Sequence, residues 1–380
     1  MPAAGDAEAG GETANHIPSH RKLVTADAVG KPATINAIIV PTARTLGYLR
    51  TAVDLAGAQG CVLVALCSKR ASAEAAFRLA KSKGTEVLAV DVPDLNARLL
   101  PGFRTSALLR GTRFHRPTDT SMKRNLGLLL ARVAGWERIL FLDDDISVPK
   151  VGDLNDAAGL LDDYAGVGLS IDGFWDNSVV CHAFRDSGGA QDTFIGGGAL
   201  AVGPKAYGSF FPNIYNEDWF FLLDDKGLRP SAMTGRVIQA PYDPYRDGDR
   251  ARSEEFGDTL AEGLFGLLGH GRDLTAATAG YWRDFLAKRR SFIDEVLEMA
   301  ACAPLPPAER SRMIEALKAA RGRNRLIEPR FCVDYLDAWR ADRRTWQRHV
   351  VSVAGRYRRG GLQKLLADIG LMHCYQTAAV

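Results

Sequence analysis

Three consecutive aspartates, Asp143, Asp144 and Asp145, directly follow the apolar run 139–142. If the strand continues through them, Asp143 and Asp145 lie on one side and can reach the same cation, whereas Asp144 points to the other side. Two carboxylates suit a hard cation such as Mg²⁺ or Mn²⁺, which completes its coordination with water and phosphate oxygens. The triplet therefore predicts a metal site for a phosphate-bearing ligand. The alternative is an acidic helix start, because aspartate caps helices well.

The chain before the aspartates alternates between apolar runs and helical stretches. Strands are predicted over 35–40, 61–66, 87–90 and 139–142, and helices over 46–58, 72–83 and 121–133. Strands separated by helices are typical of a mainly parallel sheet, in which the carboxyl ends of the strands meet at one edge. We therefore expect an α/β fold whose ligand-binding edge carries the aspartates.

Beyond residue 150 the pattern changes, and the predicted elements are a helix over 154–164, a strand over 166–171, strands joined by glycine-rich turns over 179–202, a helix over 217–225 and a strand over 236–239. The final third has apolar residues at helical spacing. The chain is therefore divided into a disordered leader (1–33), an α/β domain (34–250, with halves 34–150 and 151–250) and a helical C-terminal region (251–380).

The composition excludes several function classes. The 380 residues are 46% hydrophobic and 24% charged, as in an ordinary globular protein, and the net charge of +3 is too small to predict nucleic-acid binding. No secretory signal or transmembrane segment is predicted. The six cysteines show no CxxC or zinc-finger spacing, which favours a reducing, cytoplasmic location. The C-terminal helices could form a homodimer interface.

Four motifs occur in order between residues 38 and 219, and together they resemble the GT-A glycosyltransferases, especially family two. The aspartate triplet follows an Arg-Asn-x-Gly sequence at 124–127, a helix and a strand. The first strand with its turn, 38–44, resembles the opening strand and nucleotide-binding turn of that family. The sequence at 196–202, followed by 216–219, resembles its glycine-rich strand and its Glu-Asp motif. Motifs in a shared order are more specific than any one alone.

The resemblance implies a GT-A fold with a mostly parallel central sheet and a helical C-terminal extension, in which 34–150 binds the nucleotide sugar and 151–250 the acceptor. Asp143 and Asp145 would hold Mg²⁺ or Mn²⁺ on the donor diphosphate. Asp91 could replace an acid that many relatives carry where this chain has Ser68. The other residues expected to border the nucleotide are Pro41, Thr42, Arg44, Arg124 and Asp144.

On the acceptor side, the resemblance makes Asp218 the general base that takes the proton of the attacking hydroxyl, with Glu217 beside it. Gly197 and Gly198 would let the backbone approach the acceptor. Trp219 would either stack on a sugar ring or pack the helix against the sheet. The alternative for the acidic pair is an ordinary helix N-terminus, where negative side chains suit the dipole.

The implied function is metal-dependent transfer of a sugar from a nucleotide-diphosphate donor to a hydroxyl of a small-molecule acceptor, with inversion at the anomeric carbon. UDP-glucose is the first donor expected and GDP-mannose the second. A retaining enzyme of the same fold is one alternative. A haloacid-dehalogenase-like phosphatase that uses Asp143 and Asp145, with Asp224 and Asp225 as its later acid pair, is another. Arg246, Arg250 and Arg252 would either close over the diphosphate or pair with Asp247 and Asp249.

Overall fold

A computed structural model describes residues 16–17, 19–92, 99–174, 177–192 and 194–376. In this part of the chain the fold is mixed α/β, with one nine-stranded sheet in the order β5-β8-β6-β7-β4-β1-β2-β3-β9. The strands are β1 Ala37–Thr42, β2 Val62–Cys67, β3 Val87–Asp91, β4 Ile139–Leu142, β5 Ile146–Ser147, β6 Gly166–Gly173, β7 Ala199–Val202, β8 Ser231–Gln239 and β9 Tyr375–Gln376.

Helices cover both faces of the sheet, and those described are α1 Arg50–Gln59, α2 Ala73–Ser82, α3 Arg104–Leu109, α4 Thr120–Ala134, α5 Gly152–Leu160, α6 Val179–Asp186, α7 Glu217–Leu222, α8 Gly248–Gly269, α9 Ala279–Cys302, α10 Pro307–Asn324, α11 Pro329–Arg356 and α12 Gly361–Asp368. One hydrophobic core lies under α1, α2 and α5. A larger one joins α4 to the C-terminal helices. No helix in the described ranges is both long enough and apolar enough to cross a membrane.

The predicted parallel sheet is present in one half of the fold. β4, β1, β2 and β3 are parallel neighbours, with Ile39 paired to both Phe141 and Val64. The other half is mixed, because β7 runs antiparallel to β4 and β6, while β6 and β8 are parallel. Over the whole sheet the prediction of a mostly parallel arrangement is therefore too strong. The carboxyl ends of β1 and β4 lie side by side, as expected.

The prediction of strands throughout 179–202 is wrong for its first part. Residues 179–186 form α6, which begins where the Oγ of Ser178 accepts a hydrogen bond of 3.3 Å from the amide of Cys181. Val179, Val180 and Ala183 then fall on one helical face and pack into a core shared with α9 and α10. Only Ala199–Val202 is a strand.

The predicted domain boundary at residue 250 falls in the first turn of α8. This helix is buried along most of its length, and Phe256, Leu260 and Leu264 join the same core as β4. The C-terminal helices are therefore packed directly on the sheet-bearing part of the chain.

The prediction of a disordered leader over residues 1–33 needs correction for its described part. The amide of Thr25 donates to the carbonyl of Ser231 (3.0 Å), and that of Ala28 donates to Met233 (2.9 Å), so this segment lies along β8. His20 and Val24 are buried. Backbone pairing with a strand and apolar burial hold the segment in place, which composition alone did not indicate. Residues 1–15 and 18 lie outside the described residues.

Gly159 tests this packing, because a Cβ there would overlap the carbonyl oxygen of Lys31. We expect Gly159→Ala to lower the free energy of unfolding by about 1–3 kcal/mol, as overpacked sites do. Gly152, on the same helix, has no neighbouring atom within 4 Å of an added Cβ. Gly152→Ala should change stability by less than about 0.5 kcal/mol. Urea unfolding of both variants measures the difference, and equal stabilities would contradict the docking of residues 31–33.

Candidate active site

A buried arginine joins the two acidic motifs. Arg124 lies on α4 and is only 3% exposed. Its Nη2 donates to Asp143 Oδ1 (2.9 Å) and to the carbonyl oxygen of Gly197 (3.0 Å), and its Nη1 donates to Glu217 Oε1 (3.0 Å). These acids raise the pKa of Arg124 despite the opposing effect of burial. A buried guanidinium therefore ties the end of β4 to the start of α7.

The residues around Arg124 explain why an Arg-Asn-x-Gly sequence positions it. The side-chain amide of Asn125 donates to the carbonyl of Phe211 (2.8 Å), and its Oδ1 accepts from the Phe211 amide (2.8 Å). A Cβ at Gly127 would stand 2.8 Å from the Ile39 side chain. The asparagine thus braces α4 against the segment before α7, and the glycine lets α4 lie close to β1.

The remaining acids of the triplet face the end of β1. Asp144 Oδ2 accepts a hydrogen bond from Thr42 Oγ1 (2.6 Å), and Asp144 Oδ1 accepts from Arg44 Nη1 (2.8 Å). The same Nη1 lies 2.8 Å from Asp145 Oδ2. The first strand and its turn therefore meet the aspartates, as the sequence predicts. The predicted alternation within the triplet is wrong, because β4 ends at Leu142 and the chain turns: Asp144 and Asp145 share Arg44, whereas Asp143 pairs with Arg124.

The Glu-Asp pair opens α7, directly after a residue in a left-handed backbone conformation. Asn216 has φ of 58°, which asparagine tolerates better than most residues, and its side-chain amide donates to Asp258 Oδ1 (3.0 Å). Asp218 Oδ2 accepts from the amide of Gly197, and Asp218 Oδ1 accepts from the amide of Trp219 (2.9 Å). Two backbone donors therefore fix the carboxylate of Asp218.

Burial is the largest influence on the pKa values of Asp143, Asp144, Glu217 and Asp218. It raises the pKa of Asp143 to about 6, although Arg124 acts in the opposite direction. Burial likewise raises the pKa of Glu217 and that of Asp218, again against the influence of Arg124. The pKa of Asp144 is raised by burial as well, and its bonds to Thr42 and Arg44 oppose this. Negative charge is thus costly here, and a bound cation would stabilise it.

Two concave sites meet at these residues. The first, here called the acid cavity, has a volume of about 580 Å³ and is lined by Asp143, Glu217, Asp218, Asp258 and Glu262 among others. The second, the arginine cleft, has a volume of about 1060 Å³ and contains the whole aspartate triplet. Its arginines are Arg44, Arg113, Arg116, Arg246, Arg250, Arg252 and Arg323. Asp143 lines both sites, as do Arg116, Thr120 and Tyr215, so the two sites adjoin at these residues.

The predicted residues divide between these two sites, with a few exceptions. Pro41 and Arg44 line the arginine cleft, whereas Gly198 and Trp219 line the acid cavity. Trp219 is 8% exposed, and its ring contacts those of His20, Phe194 and Phe265, so most of its surface is packed. Thr42 and Gly197 line neither site. Thr42 donates a hydrogen bond to Asp144, and the carbonyl of Gly197 accepts one from Arg124.

Asp91 is not brought to either site. It ends β3, which is separated from β4 by β1 and β2, and its Oδ1 accepts a hydrogen bond from the amide of Ala73 at the start of α2 (3.0 Å). Of the three arginines predicted either to close over the diphosphate or to pair with aspartates, Arg246 pairs with Asp247 and Arg252 with Asp249, whereas Arg250, on α8, pairs with Glu254. They nevertheless line the arginine cleft.

Several residues of the site were not predicted. Lys123 is buried, and its Nζ donates to the carbonyl of Thr42 (2.8 Å) and to Ser68 Oγ (2.6 Å), which joins the ends of β1 and β2. Burial lowers its pKa. Arg116 lines both sites. The sequence feature that could have indicated Lys123 is its position next to Arg124. Adjacent residues on a helix point in different directions, so Lys123 contacts the ends of β1 and β2 while Arg124 contacts the acids.

The carboxylates of Asp143 and Asp145 are the ligand type that a hard divalent cation prefers. Each uses one oxygen in an arginine ion pair, which leaves the second oxygen of each carboxylate for a metal ion. Two carboxylates plus water and phosphate oxygens are the usual ligands of Mg²⁺ or Mn²⁺ at nucleotide sites. In the described part of the chain the three aspartates do not themselves form a three-ligand cluster. The remaining ligands would therefore come from a bound phosphate and water.

Comparison with known proteins identifies no family. No protein-family model matches the chain, and no curated protein does. Among solved structures, the mannosyltransferase PcManGT from Pyrobaculum calidifontis, in complex with GDP-Man and Mn²⁺, is similar to it. The sequence identity is 16%, the match covers 87% of this chain and 89% of that one, and the TM-score is 0.41. A likeness this loose leaves the assignment to the site itself.

Gly197 tests the ion-pair network. A Cβ there would stand 2.5 Å from Arg124 Nη1, whereas at Gly196 the nearest atom would be Asp218 Oδ2 at 3.7 Å, an ordinary contact. We expect Gly197→Ala to lower the free energy of unfolding by about 1–3 kcal/mol, because the buried guanidinium must move away from its partners. Gly196→Ala is the matched control and should stay within about 0.5 kcal/mol of wild type in urea unfolding. Equal losses in both variants would contradict the tight packing of Arg124.

Proposed function

We propose that this protein is a metal-dependent glycosyltransferase that moves a sugar from a nucleotide-diphosphate donor to a hydroxyl group of a small-molecule acceptor. The observation that carries the proposal is the position of Asp143. One carboxylate borders both the arginine cleft and the acid cavity, and Arg124 connects it to Glu217 beside Asp218. A donor in the cleft and an acceptor in the cavity would meet at this point, as group transfer requires.

The arginine cleft suits an anionic donor. Burial, together with the like charges of Arg252 and Arg113, lowers the pKa of Arg323. Cations that repel one another in a cleft favour a bound anion such as a diphosphate. A metal ion on Asp143 and Asp145 would neutralise the diphosphate as the sugar–phosphate bond breaks. Pro41 and Arg44, on the same wall, would border the nucleoside.

Asp218 is better suited than Glu217 to remove the acceptor proton. Glu217 is occupied by its ion pair with Arg124, whereas Asp218 is held only by the amides of Gly197 and Trp219. Burial raises the pKa of Asp218, which makes its carboxylate a stronger base. A base that deprotonates the acceptor hydroxyl for direct attack on the anomeric carbon gives a single displacement, which inverts the configuration at that carbon. We therefore propose inversion.

The arrangement does not favour the phosphatase alternative. Asp224 accepts hydrogen bonds from the amides of Lys226 and Gly227 in a turn, and Asp225 pairs with Arg343. Neither residue lines the arginine cleft or the acid cavity. The second acid pair that such a phosphatase needs is therefore not assembled around the aspartate triplet.

Nucleotide binding tests the donor site. We expect UDP or GDP to bind in isothermal titration only with Mn²⁺ or Mg²⁺ present, and Asp145→Asn to weaken binding at least about tenfold through loss of a charged metal ligand. Asp225→Asn is the control, because this acid lies outside both sites, and it should bind as wild type does. Failure of both nucleotides to bind at any metal concentration would overturn the proposal.

Asp218 is tested by turnover. With UDP-glucose and GDP-mannose offered against a panel of hydroxyl acceptors, we expect Asp218→Asn to lower kcat about 10²- to 10⁴-fold, the usual effect of losing a general base. Its metal-dependent nucleotide binding should stay as in wild type. NMR of the first product formed should show the inverted anomer. Retention, or unchanged kcat in the variant, would contradict the role of Asp218.

A further inference from the structure

Three potential metal ligands converge on the wall of the acid cavity, away from the aspartate triplet. They are His16 in the N-terminal segment, Cys181 on α6 and Glu262 on α8, and all three are buried. One ligand atom of each lies within 4.8 Å of the others. Of the three, Cys181 and Glu262 line the acid cavity. In the described part of the chain, this is the one group of three or more histidine, cysteine, aspartate or glutamate side chains whose ligand atoms lie close enough together to hold a metal ion.

We propose that His16, Cys181 and Glu262 bind a zinc ion whose fourth coordination position opens toward the acid cavity. The ligand types are those of protein zinc sites, which combine thiolate sulfur, imidazole nitrogen and carboxylate oxygen. Three protein ligands with one open position are typical of zinc sites that border a cavity.

The distances between the ligand atoms fit one small ion. His16 Nδ1 lies 3.1 Å from Glu262 Oε1, and Cys181 Sγ lies 3.8 Å from the same oxygen. Ligands about 2.0–2.3 Å from a tetrahedral zinc ion stand roughly 3.3–3.8 Å apart. Small movements of the side chains therefore close the coordination sphere.

The histidine points independently to a ligand. His16 is 8% exposed, and within the described residues neither of its ring nitrogens has a partner in hydrogen-bond geometry, although Nδ1 is close to Glu262. The ion pair with Glu262 accounts for Nδ1 alone, and a buried nitrogen without a hydrogen-bonding partner is costly. A metal ion would satisfy one of these nitrogens.

Surrounding groups hold the ligands in place. The ring of His16 stacks on Phe292 with centroids 4.7 Å apart and meets the edge of Phe184 at 5.4 Å. Glu262 Oε2 accepts a hydrogen bond from the amide of Ile17 (3.0 Å), which leaves Oε1 for the metal. Such outer contacts orient ligands and tune affinity at metal sites. A thiolate and a carboxylate also balance the two charges of zinc.

The site would fasten the N-terminal segment to the cavity. Arg21 and Asp27, both in this segment, line the acid cavity, so its position shapes the space available to an acceptor. Zinc would connect the start of the segment to α6 and α8, in addition to the ion pair of His16 and the hydrogen bond of the Ile17 amide with Glu262. The oxygen-only pair of Asp143 and Asp145 favours Mg²⁺ or Mn²⁺, so the two sites select different metals.

Metal content tests the proposal without any assay of sugar transfer. The full chain is loaded with Zn²⁺, passed over a chelating resin and analysed by plasma mass spectrometry. We expect wild type and Asp145→Asn to retain about one zinc ion per chain, and Cys181→Ser and His16→Gln to lose it. Cys302→Ser, which changes an exposed cysteine, is the matched control and should retain zinc. Circular dichroism establishes that each variant is folded.

Cobalt gives a second readout. Co²⁺ in place of zinc should produce a sulfur-to-cobalt charge-transfer band in wild type and in Cys302→Ser, but not in Cys181→Ser. Removal of the metal from wild type should also speed tryptic cleavage after Arg21 or Lys22.

Three results would overturn the proposal: no retained zinc in wild type, full zinc retention in Cys181→Ser, or loss of zinc in Asp145→Asn. If Cys181→Ser does not fold, His16→Gln decides, because His16 lies outside the helices and strands of the fold. Failure of nucleotide binding would leave this result unaffected, which separates the two proposals.

Discussion

The site depends on the burial of one guanidinium. Arg124 is almost completely removed from water, and its charge is balanced by Asp143, Glu217 and the carbonyl of Gly197. Removing one partner from a buried ion pair is strongly destabilising, because the remaining charge stays desolvated. The need to balance the buried charge of Arg124 therefore holds three parts of the chain together: the end of β4, the glycine-rich segment before β7 and the start of α7. This requirement explains why acids so far apart in the chain occupy one site.

Neighbouring residues are constrained by the same arginine. The guanidinium of Arg124 occupies the space that a Cβ at position 197 would need, so this position requires glycine. The amide of Gly197 in turn donates a hydrogen bond to Asp218. Asn125 holds α4 against Phe211, so the arginine cannot withdraw along the helix. The electrostatic arrangement also separates two roles for adjacent acids. Glu217 pairs with Arg124, while Asp218 accepts hydrogen bonds from the amides of Gly197 and Trp219, so the carboxylate that we propose as the base is not part of the ion pair.

Much of the site could be predicted from sequence because its residues lie in short, ordered motifs. The apolar run before Asp143 places the triplet at a strand end, and strand–helix alternation brings Thr42 to the same edge. The rest depends on contacts that local sequence does not specify. Ser178 turns an apolar stretch into α6 rather than a strand, and Asp91 ends its strand at the right edge but caps α2 instead. His16 and Glu262 lie far apart in the chain, and their ion pair depends on tertiary packing.

Helix α8 shows why the C-terminal region cannot be treated as an addition to the sheet. Its first turns carry Arg250 and Arg252 into the arginine cleft, and its middle carries Asp258 and Glu262 into the acid cavity. At 1.5 Å per residue, the twelve residues from Arg250 to Glu262 span roughly 18 Å, so one rigid element fixes the separation of the two sites. Its apolar face, with Phe256, Leu260 and Leu264, is buried in the main core. Any movement of α8 relative to the sheet would therefore change both sites together, and the packing that stabilises the fold also sets the geometry of the chemistry.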